Sequence, residues 1–263
     1  MPRRPSLKIG SAVAVLVASI AALAGCSMPF TAEAHDEWKR SYPLAQGGSV
    51  EIRNTNGQIR VEPGDGGTVE VVATRSARAG SDEDARNALK RIEIVETIAP
   101  NRVELDSSGG GIGFEINVSK KVDYVVRLPK WANVTLQTTN GEIVATGIAG
   151  AFHAETTNGP IKATAIEGAV RMETTNGDVT LEIDKVADGG VTCDTTNGSV
   201  DLTLPSTAKA AFDVQTNNGG IDPSGLDLTI ADQSRRSLRA TVGGGGPTIK
   251  LETTNGEIRL RGR

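Results

Sequence analysis

The dipeptide Asn-Gly occurs seven times, at Asn56, Asn140, Asn158, Asn176, Asn197, Asn218 and Asn255, and in most copies Thr-Thr precedes it. From Asn140 onward the steps are 18, 18, 21, 21 and 37 residues. The last is close to two units of 18, which places a degenerate copy within 226–245. Four residues before each Asn stands Ile52, Leu136, Ala154, Met172, Cys193, Val214 or Leu251. Three residues after it stands Ile59, Ile143, Ile161, Val179, Val200, Ile221 or Ile258. Between these points polar and apolar residues alternate, as in Val170-Arg-Met172-Glu-Thr174 and Val179-Thr-Leu181-Glu-Ile183. Alternation on both sides of a Gly-bearing corner means strand, corner, strand, each with one buried face.

Two architectures fit such a unit. Asn-Gly suits a two-residue hairpin, because both residues tolerate positive φ, and a series of hairpins makes an antiparallel meander. The alternative is a β-solenoid of rungs of about 18 residues, in which equivalent strands stack in parallel. The solenoid is favoured because Thr, Thr, Asn, Gly and the following aliphatic residue all recur, whereas a hairpin needs only a good turn. Stacking brings identical side chains about 4.8 Å apart, where Asn amides and Thr hydroxyls can bond to their own copies. Asn140, Asn158, Asn176, Asn197, Asn218 and Asn255 are then a structural ladder, and residues 131–263 form about seven rungs. Cys193 falls in the buried column between the Met172 and Val214 rungs, so it reads as a core residue rather than a reactive thiol.

Before the repeats the pattern is less regular but still β. It predicts strands over 49–54, 58–62, 68–74, 92–98, 102–106, 113–118 and 122–128, with one short helix from Asp82 to Lys90 capped by Ser81. The fold class is all-β: a β-solenoid with an irregular N-terminal β region. Aromatic residues are 3% of the chain, so the core is built of Val, Ile, Leu, Ala and Thr.

Residues 1–25 read as a signal peptide. Arg3, Arg4 and Lys8 precede an uncharged run from Ile9 to Ala24, too short for a spanning helix. The run ends in Leu23-Ala24-Gly25-Cys26, which resembles the lipobox of bacterial lipoproteins. Cys26 would then carry a diacylglyceryl group on sulfur and become the first mature residue. Residues 26–45, polar and without periodicity, read as a tether, and 46–263 as one domain. The leader carries three basic groups and no acid, so its removal takes the net charge from −4 to −7. Such a surface disfavours nucleic acid and adhesion to anionic lipid by charge alone. The implied location is extracytoplasmic, on a membrane reached through acyl chains.

The run Val122-Asp-Tyr-Val-Val-Arg-Leu-Pro129 with the repeated Thr-Thr-Asn-Gly-x-Ile resembles the bacterial putative-adhesin domain of unknown function, here in lipoprotein form. Gly243–Gly246 leading into the closing Thr-Thr-Asn-Gly-Glu-Ile resembles that family's C-terminal end. The resemblance covers roughly 46–263 and implies a solenoid-like, envelope-associated domain with no assigned reaction and no catalytic residues to carry over.

Candidate chemistry is sparse. His35 and His153 are the two histidines, too few for a His-based triad or zinc site, so no metal ligands, cofactor or catalytic residues are assigned. Three residues before the Asn stand Gln137, Glu155, Glu173, Asp194, Gln215 and Glu252. In a stack Glu155, Glu173 and Asp194 form an outward acidic column, usually a solvated face but also a candidate for cation binding or for a carbohydrate-active acid pair. Gly109–Gly113 and Gly243–Gly246 open no helix and carry no P-loop lysine, so they read as turns. No aromatic stripe offers a sugar platform. The reading is a non-catalytic binding, adhesion or structural module, its partner an envelope protein, a polymer or its own copies. A β-helix enzyme acting on carbohydrate through the acidic flank is the alternative.

Overall fold

The computed structural model describes residues 31–109 and 117–263. The leader, Cys26 and most of the expected strand over 113–118 lie outside the described residues, as does most of the Gly109–Gly113 run. The N-terminal part supplies β1 (Ala32–Pro43), β2 (Ser49–Arg53), β3 (Ile59–Pro63) and β4 (Thr68–Ala79). It continues with α1 (Asp82–Lys90), β5 (Val95–Ala99), β6 (Arg102–Asp106) and β7 (Ser119–Leu128). The repeats follow as strand pairs flanking each Asn-Gly: β8 (Asn133–Asn140) with β9 (Ile143–Thr146), and β10 (Phe152–Asn158) with β11 (Ile161–Ile166). Next come β12 (Val170–Asn176) with β13 (Val179–Ile183), and β14 (Val191–Asn197) with β15 (Val200–Leu204). The chain ends with β16 (Ala210–Asn218), β17 (Ile221–Ser224), β18 (Leu228–Gln233), β19 (Ser237–Val242), β20 (Thr248–Asn255) and β21 (Ile258–Gly262).

These strands form two sheets over one core. Sheet A runs β1-β4-β7-β3-β9-β11-β13-β15-β21-β17, and sheet B runs β18-β19-β16-β20-β14-β12-β10-β8-β2-β6-β5. Each Asn-Gly corner carries the chain from sheet B to sheet A. Neighbouring copies pair in parallel with like opposite like: Ala154 faces Leu136 and Met172, and Met172 faces Cys193. Parallel pairing rules out the hairpin meander. Inward side chains from both sheets, such as Leu136, Met172, Ile161 and Leu181, are fully buried.

The corners explain the motif. Each Asn side chain donates to the one before it in the stack: Asn140 to Asn56 at 2.8 Å, Asn158 to Asn140 at 2.8 Å and Asn176 to Asn158 at 2.9 Å. Asn197 donates to Asn176 at 2.9 Å, Asn255 to Asn197 at 2.8 Å and Asn218 to Asn255 at 2.8 Å. All donors point the same way, and Asn56 ends the run on the Lys120 carbonyl. The first Thr of the motif does not bond to its own copy, contrary to the expectation from stacking. It is buried, and its hydroxyl donates to the Gly carbonyl of the adjacent rung: Thr156 to Gly141, Thr174 to Gly159 and Thr195 to Gly177, at 2.9–3.1 Å. The corner glycine is required by closeness rather than by turn type. A Cβ on Gly177 would stand 2.0 Å from the Gly159 carbonyl oxygen, and one on Gly198 1.9 Å from that of Gly177.

Three further expectations differ from the structure. The rungs do not stack in chain order, because β20 lies between β14 and β16. Asn255 therefore separates Asn197 from Asn218, and Cys193 packs between Met172 and Leu251 rather than Val214. Nor is 226–245 a degenerate rung. It forms the antiparallel hairpin β18–β19, laid along β16 with Leu238, Ala240 and Val242 buried. The hairpin covers the open edge of the parallel stack, and a bulge between Ile230 and Asp232 disrupts the regular pairing of its own outer strand. Strand adjacency in space is set by this detour, which periodicity along the chain does not encode. Six copies after residue 131 and the one at Asn56 thus make seven rungs among the described residues.

The third correction concerns the tether. Residues 32–43 are not a linker but β1, paired with β4 over twelve residues from Ala32↔Ala79 to Pro43↔Thr68. Its sequence lacks an apolar period because it is an edge strand, with Tyr42 its one buried hydrophobic side chain. A polar contact fastens it instead: Arg75 of β4 bonds Asp36 through two nitrogens, at 2.6 and 2.8 Å. At the same end of the stack Glu96 of β5, the edge strand of sheet B, turns toward the core side and accepts from the Tyr42 hydroxyl at 2.5 Å. The helix forms as expected. Ser81 accepts from the Asp84 backbone N–H at 3.1 Å, three acids fill the first turn, and Ala85 and Ala88 are buried.

Two measurements test this account. Asn176 makes two ladder bonds and Asn218 one, so Asn176→Ala should destabilise the domain in denaturant melts by about 1–2 kcal/mol and Asn218→Ala by roughly half that. Equal losses would count against the ladder. Cys193 is 1% exposed, and burial pushes its thiol up to about 12. Thiol labelling of folded protein should therefore be slow and become fast in denaturant. Rapid native labelling would mean the register is shifted by one residue.

Candidate functional site

Sheet B strands put alternate residues on the outer face, and parallel register turns those residues into columns. One column reads Gln137, Glu155, Glu173, Asp194, Glu252, Gln215 across β8, β10, β12, β14, β20 and β16. The sequence reading placed Glu155, Glu173 and Asp194 together, and the structure does so. It adds Glu252 next to Asp194, which was missed because β20 is distant from β14 in the chain. A second column, two residues earlier, carries Thr135, His153, Arg171, Thr192, Lys250 and Asp213. A third, formed by the second Thr of the motif, is exposed at Thr139, Thr157, Thr175, Thr196 and Thr254 or half-buried there.

The columns neutralise one another in part. Gln137 donates to Glu155 at 3.1 Å, Arg171 pairs with Glu173, and Lys250 lies 3.0 Å from Glu252. Among the described residues no cation pairs with Asp194. Desolvation, and then the Glu252 carboxylate beside it, push its carboxyl above the usual range, against the pull of Lys250 and Arg171. A raised carboxyl is what a general acid needs. A glycosidase, however, sets its two carboxyls on opposite sides of the scissile bond, whereas these carboxylates stand in a row along one face, about 4.8 Å apart.

Two depressions mark this face. One, of about 360 Å³, is lined by Glu155, Thr157, Arg171, Glu173, Thr175 and Asp194 among others. The other, of about 350 Å³, is lined by Asn133, Phe152, His153, Arg171 and Thr192 among others. In it the His153 Nε2 atom is buried and has no hydrogen-bond partner among the described residues. Also among the described residues, no group of three or more His, Cys, Asp or Glu side chains is arranged to hold a metal ion, so the acidic column lacks a converging cation cage. Nor is any described helix long and apolar enough to cross a membrane. What the face can do chemically is present hydroxyls, carboxylates and a few cations at strand spacing over several rungs.

Several solved structures align with most of this chain at low identity. A "putative cell adhesion protein" from Clostridium sporogenes is 12% identical with a TM-score of 0.45, covering 87% of this chain and 100% of its own. A "putative adhesin" from Bacteroides fragilis is 13% identical with a TM-score of 0.44, covering 86% and 97%. A "putative lipid binding protein" from Parabacteroides distasonis is 11% identical with a TM-score of 0.31, covering 86% and 96%. At such identities and scores these names describe those proteins alone. No curated protein matches the chain in sequence. The family described as Toastrack DUF4097 matches residues 43–261, which begins at the end of β1 and takes in every Asn-Gly corner, and the chain belongs to that family.

Proposed function

We propose that this protein is a lipid-anchored, non-catalytic module of the bacterial cell envelope, which binds an envelope polymer or protein through the outer face of sheet B. The observation that carries the binding face is the register of its columns. Glu155, Glu173, Asp194 and Glu252 stand in line beside a column of threonines and a column containing Arg171 and Lys250. A repeating ligand can meet the same groups on each rung, so many weak polar contacts act together. Catalysis has no comparable support, because the carboxylates do not converge across a cleft.

The anchor rests on the sequence. A basic n-region, an apolar run and Leu23-Ala24-Gly25-Cys26 together support lipidation of Cys26. The acyl chains would contribute about 0.8 kcal/mol per buried methylene, and more than one chain is needed for stable attachment. The early start of β1 matters here. Thr31 already bonds the Ala79 and Gly80 carbonyls at the start of β1, so four residues separate it from Cys26. An extended chain of that length spans at most about 17 Å, which would hold the domain close to the membrane.

Two experiments test the two halves independently. Cys26→Ser should move the protein from the membrane to the soluble fraction. Unchanged partitioning into detergent would sink the anchor. Glu155→Lys combined with Glu173→Lys, in protein that keeps its anchor, should cut recovery of co-purifying envelope material about ten-fold, a loss of roughly 1.4 kcal/mol. Undiminished recovery from a folded double variant would remove the acidic column from the binding face.

A further inference from the structure

Asn-Gly is the dipeptide at which the following backbone nitrogen most readily attacks the asparagine side-chain amide, because glycine leaves that nitrogen unshielded. The ladder holds seven such pairs, and six are locked. The glycine nitrogen that would attack is engaged in each: Gly57 N–H donates to the Asn140 carbonyl, Gly141 to Asn158, Gly159 to Asn176, Gly177 to Asn197, Gly198 to Asn255 and Gly256 to Asn218, all at 2.9–3.0 Å. The side-chain amide that would be attacked is also held at both ends in these six, donating through Nδ2 and accepting through Oδ1.

The seventh pair, Asn218-Gly219, differs on both counts. It closes the stack at the end where sheet A stops at β17. Gly219 N–H has no partner among the described residues, since no further rung supplies a carbonyl. Asn218 donates to Asn255 but accepts no hydrogen bond from a described residue at Oδ1, and its side chain is exposed. Its strand is also less enclosed, because the β16–β19 pairing ends at Gln215↔Ser237 and only Thr216 N–H, bonded to the Arg236 carbonyl, continues toward the corner.

We propose that Asn218 is a site of spontaneous deamidation, the one ladder position open to it in the folded protein. Gly219 N attacks Asn218 Cγ and forms a five-membered succinimide. The Cγ–Nδ2 bond breaks and ammonia leaves, taking up the proton that Gly219 N gives up. Water then opens the ring at either carbonyl, giving aspartate or isoaspartate, with no oxidant or reductant required. Either product loses the Nδ2 donor and sets a carboxylate against the Asn255 Oδ1 acceptor. The reaction therefore loosens the last rung and the hairpin laid on it, and leaves the six inner rungs intact.

The test is peptide mapping by mass spectrometry, with isoaspartate detection, of the folded protein aged in mildly alkaline buffer. A parallel sample is aged in denaturant. In the folded sample Asn218 should convert at least about ten-fold faster than Asn140, Asn158, Asn176, Asn197 or Asn255, because those positions must first open locally and each 1.4 kcal/mol of opening costs a factor of ten. In denaturant the difference should largely vanish, and Asn218→Gln should abolish the early product. An inner asparagine converting as fast as Asn218 in the folded protein would overturn the proposal. So would an Asn218 as slow as the inner positions, or a preference for Asn218 that persists in denaturant.

Discussion

The structure depends on how closely one corner glycine approaches the next. Strands in a sheet lie about 4.8 Å apart, and here the turn between two sheets must keep that spacing as strictly as the strands do. The corner glycines leave no room for a side-chain carbon: a Cβ on Gly256 would sit 1.9 Å from the Gly198 oxygen. With the backbones that close, the buried Thr253 hydroxyl reaches the same Gly198 carbonyl at 2.8 Å, and Asn255 reaches Asn197. Glycine sets the distance, threonine satisfies the carbonyl that the corner would otherwise bury unpaired, and asparagine ties the outer rim.

That arrangement also decides where the fold is vulnerable. A parallel stack has two open edges, and an unpaired strand edge invites association. At one edge the chain adds β7, β4 and β1 to sheet A and β6 and β5 to sheet B, with Glu96 turned inward and bonded by Tyr42. At the other it adds an antiparallel hairpin to sheet B alone. Sheet A is left to end on β17, and at the corner leading into it the Gly219 N–H has no partner among the described residues.

The outward face follows from the same register. Because copies pair like with like, any residue type that recurs at an outward position becomes a column, whether or not a column has a use. The carboxylates of Glu173 and Glu252 have cations from the neighbouring column beside them, while Asp194, between those two in the column, has its carboxyl pushed upward by desolvation and by Glu252. Solvated charge patterns of this kind suit reversible contact with an extended partner better than chemistry on a small one, which needs groups that converge.

The recurrence of Thr-Thr-Asn-Gly and its flanking aliphatic residues determined that the chain stacks rungs in parallel, which side chains face inward and which outward columns arise, because each copy must solve the same packing problem as its neighbour. Ser81 and the acids after it likewise determined α1, since a helix start is a local matter. The tertiary structure alone decided the order of the last rungs. Whether β20 adds beyond β16 or slides between β14 and β16 changes no local preference, only which edges the β18–β19 hairpin can cover. It also decided that Ala32–Pro43 is a strand rather than a tether. An edge strand fastened by backbone bonds, Arg75–Asp36 and one buried tyrosine needs no hydrophobic period, and so leaves none in the sequence to read.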